Sequence, residues 1–212
     1  MESARVALYG GIAVGPSLVT ATAGYAHDWM HTARGLSGIG TASESHGGDE
    51  ATFAAQWSMP LPVPGLAGGS ATLTPKAGLQ YVHLSEGAFT DTGAGAFDLS
   101  AAGRSADSFQ PYFGFALSQR FTARGDTVVT PELRLGYAYE TLSNARGLNV
   151  IALDGTTFPV NGIAPSRNQL IAGLGVTVTA GPNLSFYASY DAILPVGNTR
   201  SQTFQAGLRW KF

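Results

Sequence analysis

The four histidines of the chain, His27, His31, His46 and His83, are its first candidates for chemistry. Two imidazoles four residues apart can share a metal ion from one face of a helix. His27 and His31 have that spacing, but their surroundings read as the end of a strand, where such positions do not converge. Serine, aspartate and histidine recur along the chain, yet no Gly-x-Ser-x-Gly elbow selects one serine as a nucleophile. The glycines form neither a Walker-type nor a dinucleotide-binding fingerprint. The absence of cysteine excludes disulfides, thiolate metal sites and cysteine nucleophiles. A net charge of -2 with singly scattered basic residues gives no footprint for nucleic acid. The expectation is a protein that is not an enzyme, with no cofactor, no metal and no nucleic-acid partner.

What the residues do offer is a pattern. From Gln202 to Phe212 the chain alternates between apolar and polar without a break. Phe204, Ala206, Leu208, Trp210 and Phe212 share one face; Thr203, Gln205, Gly207, Arg209 and Lys211 share the other. Period-2 alternation of this length is a β-strand with one greasy and one wet face. About 9–11 residues is also what a tilted strand needs to cross a bilayer.

The same two faces recur upstream. Leu184 to Tyr190 alternate against Ser185 to Asp191, and Leu170 to Val178 against Ile171 to Thr179, with Gly181-Pro182-Asn183 as the tight turn between them. Val129 to Tyr139, Phe109 to Phe121, Leu73 to Tyr81 and Phe53 to Met59 behave alike, and Val6 to Val14 and Val19 to Tyr25 suggest two more strands. The reading is about nine strands and no convincing helix. The wet faces carry Lys76, Arg120, Glu132, Arg134, Asp191 and Arg209, whereas the apolar faces carry no lysine or arginine. A charge facing lipid at mid-bilayer in a barrel costs about 2–4 kcal/mol, so lipid would impose this sorting. Glycines on the wet faces leave room in a narrow barrel.

Composition agrees. Only 12% of the 212 residues are charged, with 28 glycines and 10% aromatics, and the mean hydropathy is +0.08. A soluble sandwich with the apolar faces turned inward would then show water a Gly- and Ser-rich surface with few charges. No run approaches the ~18 apolar residues of a transmembrane helix, so any span must be a strand. The connections alternate in length. Gly15-Pro16, Pro60 to Gly69, Arg124 to Asp126 and Gly181 to Asn183 are the shorter ones; Thr32 to Gly48, Gly87 to Ala96, Asn144 to Ser166 and Pro195 to Ser201 are long. Short turns at one end and long loops at the other characterise outer-membrane barrels. The fold class expected is all-β, an antiparallel up-and-down transmembrane barrel, as one domain over residues 1–212.

Nine antiparallel strands cannot close on themselves, and bacterial barrels are even-numbered. No signal-peptide pattern follows Met1. Both observations lead to the expectation of a C-terminal piece of a longer exported protein.

Several fragments resemble the β-domain of autotransporters, the type V secretion proteins. They include Leu73-Thr74-Pro75-Lys76-Ala77-Gly78-Leu79-Gln80-Tyr81, Gly87-Ala88-Phe89-Thr90, Gly93-Ala94-Gly95-Ala96 and Ser105-Ala106-Asp107-Ser108. Thr130-Pro131-Glu132-Leu133-Arg134, Ala164-Pro165-Ser166-Arg167, Gly173-Leu174-Gly175 and Ala188-Ser189-Tyr190-Asp191 continue in order and spacing. The resemblance implies roughly the last nine strands of a twelve-stranded outer-membrane barrel that exports its own N-terminal passenger polypeptide. It implies that Gln205, Gly207, Trp210 and Phe212 form a C-terminal insertion signal read by the β-barrel assembly machinery. It also implies that Lys76, Arg120, Glu132, Arg134, Asp191 and Arg209 line a hydrated pore. Outer-membrane lipid, the assembly machinery and the passenger are the expected partners. The alternative is a standalone small outer-membrane barrel acting as an adhesin or narrow pore.

Overall fold

The computed structural model describes residues 2–123, 125–142, 147–162, 164, 166–195 and 201–211. Fifteen strands are present: β1 (Glu2–Val14), β2 (Ser17–Leu36), β3 (Gly40–Ser58), β4 (Leu61–Pro64), β5 (Ser70–Glu86), β6 (Phe89–Thr90), β7 (Leu99–Ala101), β8 (Arg104–Gln119), β9 (Phe121–Thr122), β10 (Thr127–Tyr139), β11 (Gly147–Ala152), β12 (Thr157–Asn161), β13 (Asn168–Ala180), β14 (Leu184–Pro195) and β15 (Ser201–Trp210). Nine of them form one antiparallel meander in the order β1-β2-β3-β5-β8-β10-β13-β14-β15, with β4 and β9 as short side pieces on β5 and β10. The only helical turns among the described residues are 3-10 turns at Leu66–Gly68 and Gly95–Phe97.

The register carries each face across the whole sheet. Trp57 opposes Ala77, Ala77 opposes Phe113, and Phe113 opposes Tyr137. Tyr137 opposes Leu170, and Leu170 opposes Leu194. This apolar face is exposed: Phe113 is 64% accessible, Leu174 61%, Phe204 72% and Trp210 71%. Among the described residues the buried apolar ones are alanines and a single valine, Val150, and no large side chain is fully buried. A water-soluble sandwich hides its large residues between sheets; this curled single sheet turns them outward, as a wall facing lipid must.

Tight turns close the short end, where Gly15 (φ +59°) and Gly181 (φ +65°) take the left-handed conformation that favours glycine. At the other end the structure departs from expectation. The long loop expected at Thr32 to Gly48 is instead an extension of the β2–β3 hairpin, paired without interruption from Leu18↔Ser58 to Leu36↔Gly40. The segments after β5 and after β10 build a four-stranded sheet of their own, in the order β12-β11-β7-β6. That sheet is anchored to wall residues that share the wet face. Arg34 donates to Asp91 at 2.8 Å and to the Phe97 carbonyl at 3.0 Å, and the His46 ring stacks on Phe89. The sheet therefore folds inward over the mouth.

The outer face turns polar at a defined level. The hydroxyls of Tyr25, Tyr81 and Tyr137 bond to Asp49, Asp107 and Asn168, each on the next strand of the meander. Tyrosines at such a level suit the interfacial belt of a membrane barrel. Beyond it lie His27, 2.7 Å from Asp49, and His83, 2.8 Å from Asp107. His46 pairs with Glu44 and His31 with Ser45. No group of three metal-ligating side chains occurs among the described residues.

Candidate functional site: the charged lumen wall and the last strand

Register places Lys76, Glu132, Arg134, Asp191 and Arg209 on the concave face. Lys76 opposes Gly114, which opposes Gly136; Arg134 opposes Gly173, which opposes Asp191. Three of these residues meet. The Arg134 guanidinium donates from Nε and Nη2 to the two Asp191 oxygens at 3.0 and 2.9 Å, and from Nη1 to Glu132 at 2.7 Å. Spacing alone put Glu132 and Arg134 on one face; only the register brings in Asp191 from two strands away.

That reach depends on glycine. The bond from β10 to β14 passes over Gly173 and Gly175 of β13, and a Cβ at either would fall against it: 3.0 Å from Arg134 Nε at Gly173 and 3.1 Å from Nη1 at Gly175. A second bulky inward group, Tyr112, lies across Gly114 and Gly136, with its Cε2 only 2.5 Å from where a Gly136 Cβ would stand. The signal for both was available as glycines at two-residue spacing on the wet face, although which side chain would occupy them was not. Lys76 and Arg209 stand apart from the arginine cluster, on β5 and β15. Arg120 falls outside the strands, in the exposed break between β8 and β9 at the short-turn end.

Near the mouth Glu140 is buried. It accepts hydrogen bonds from Ser108, from Gln110 at 3.2 Å, and from the Leu142 and Phe109 amides at 2.9 and 3.1 Å. Burial pushes its carboxyl up, but these donors outweigh it and hold the group below the usual carboxylate range. Between Glu140 and the level of Lys76 the wall is neutral. A cavity of about 430 Å³ is lined there by Thr20, Thr22, Gln56, Gln80, Gln110 and Tyr112 among others.

In the last strand, Gln205 opposes Ser189, Gly207 opposes Tyr187, and Trp210 opposes Leu184. The Tyr187 ring covers Gly207 so closely that a Cβ there would stand 2.5 Å from its Cε1 and Cζ. Phe212 lies outside the described residues.

A chain with a lipid-facing outside, a wet concave wall and long-loop strands at one end matches the family model for the autotransporter β-domain over residues 1–191. The chain belongs to the autotransporter β-domain family. It is an outer-membrane translocator barrel of Gram-negative type serving passenger export. Among solved structures it is similar to the translocator domain of the autotransporter NalP from Neisseria meningitidis, at 18% identity and a TM-score of 0.66. That match covers 99% of this chain and 68% of the NalP chain. The β-domain of the Bordetella autotransporter BrkA matches at 15% identity, with 99% and 90% coverage and a TM-score of 0.39. No curated protein sequence matches this β-domain.

Proposed function

We propose that the concave charges of this β-domain line the path of an N-terminal passenger segment through the outer membrane. The apolar face contacts lipid, and Gln205, Gly207, Trp210 and Phe212 serve as the insertion signal for the β-barrel assembly machinery. Nothing in the site calls for catalysis. The observation that carries the reading is the charge sorting in the strand parts between the tyrosine level and the short turns: Lys76, Glu132, Arg134, Asp191 and Arg209 all share the wet face. Arg120 is assigned to the pore rim at the short-turn end. β1 and β15 run in the same direction and each pairs on one side among the described residues.

Arg134→Glu in the full-length protein is expected to change single-channel conductance and ion selectivity, because it replaces the one cation between Glu132 and Asp191 by a third carboxylate. Unchanged conductance and selectivity in planar bilayers would remove the pore assignment.

The insertion signal has its own test. The logic is strand addition, in which backbone pairing supplies affinity and alternate side chains supply specificity. Deleting Phe212 is expected to lower the amount of barrel assembled in the outer membrane more than Phe204→Ala does, although both remove one aromatic side chain. Equal losses, measured by membrane fractionation, would reduce the last strand to an ordinary piece of wall.

A further inference from the structure

Toward the mouth, the concave ends of β2, β3 and β5 carry Asp28, Glu44, Glu50 and Glu86. Most of the charge here is matched locally: Arg104 donates to Glu86, Arg34 to Asp91, and Glu44 holds His46 at 2.7 Å. Two carboxylates remain, Asp28 and Glu50, and one guanidinium serves both. Arg5 stands 3.8 Å from Asp28 Oδ1 and 3.7 Å from Glu50, beyond hydrogen-bonding distance in each case. The Arg5 side chain is 61% exposed. Asp28 is only 5% exposed, and its Oδ1 is a buried polar atom with no hydrogen bond among the described residues.

Buried carboxylate oxygens are ordinarily hydrogen-bonded, because an unmet one retains the cost of lost hydration. An orphaned oxygen, a neighbouring carboxylate and one over-stretched cation leave this spot one positive charge short. It lies above the neutral glutamine-lined cavity, on the face any chain in the lumen must pass.

We propose that Asp28 and Glu50 form a binding site for a cationic side chain, lysine or arginine, of the polypeptide that occupies the lumen. The site rests on the translocator reading and adds to it a preferred chemistry for the occupant: a basic residue at the level of Asp28. An arginine donates to both carboxylates at once and supplies the hydrogen bond that Asp28 Oδ1 lacks. Arg5, on a long exposed side chain, swings aside at little cost.

The test is current block in planar bilayers holding the full-length protein, with oligo-arginine and oligo-glutamate peptides of equal length as probes on the long-loop side. Oligo-arginine is expected to block the parent at roughly tenfold lower concentration than it blocks Asp28→Asn/Glu50→Gln, with oligo-glutamate blocking neither. Equal block of parent and variant by oligo-arginine, with open-channel conductance intact, overturns the site. Should the double variant fail to insert, the part-exposed Glu50→Gln alone reports through the same comparison. A parent that inserts but never conducts sinks the translocator reading instead, and is told apart by the missing current before any peptide is added.

Discussion

Leu174→Arg is expected to abolish accumulation of folded barrel in the outer membrane, whereas Gln80→Arg leaves it close to normal. Leu174 sits at the midpoint of β13 on the convex face and is 61% exposed. Its cross-strand neighbours there are Leu133 and Tyr190, so an arginine at this position has no polar partner within the sheet. A charge at this depth in a membrane barrel costs about 2–4 kcal/mol, a large share of the stability of an ordinary domain. Gln80 lies on the opposite face and lines the central cavity, where a guanidinium keeps its water. The readout is the heat-modifiable folded band in the membrane fraction. If the two arginines cost the same, the convex face is not the lipid face and the orientation of the whole wall is wrong.

The strands that cross the bilayer were legible because lipid on one side and water on the other force an alternation on every one of them. β13 and β14 show how far this reaches: the faces read for Leu170 to Val178 and Leu184 to Tyr190 are the faces that the register joins, and the turn falls at Gly181 to Asn183. The upper part of β2 and β3 was not legible for the same reason. Above the level of Tyr25 neither face meets lipid, so Arg34, Ser43, His46 and the glycines near them carry no alternation. The backbone pairing continues regardless, since hydrogen bonds need no particular side chain. The small sheet over the mouth is not legible in the sequence because it joins Val150 to Ala101 across half a hundred residues, a pairing that no local pattern encodes. The lumen cluster was half legible: the sequence places Glu132 beside Arg134, but Asp191 joins only once β10, β13 and β14 are in register.

That cluster also yields the sharpest structural prediction, Gly173→Ala. A methyl group at Gly173 would lie against the Asp191 carboxylate and 3.0 Å from Arg134 Nε, in the path of the two bonds that tie β10 to β14 across β13. Either the guanidinium or the carboxylate must swing away. Charged hydrogen bonds are worth about 1.5–3 kcal/mol when sheltered, and partial exposure of both partners brings the expected loss to about 1–2 kcal/mol. Alanine otherwise suits a strand better than glycine, so the local backbone effect runs the other way and any loss must come from the displaced pair. The two contributions separate in a double-mutant cycle. In an Asp191→Ala background there is no carboxylate to displace, and Gly173→Ala should become neutral or slightly stabilising in urea unfolding of the barrel in detergent or lipid. A penalty of the same size in both backgrounds would mean that Gly173 is required by the β13 backbone itself, and that the arginine reaches Asp191 across a groove it does not depend on.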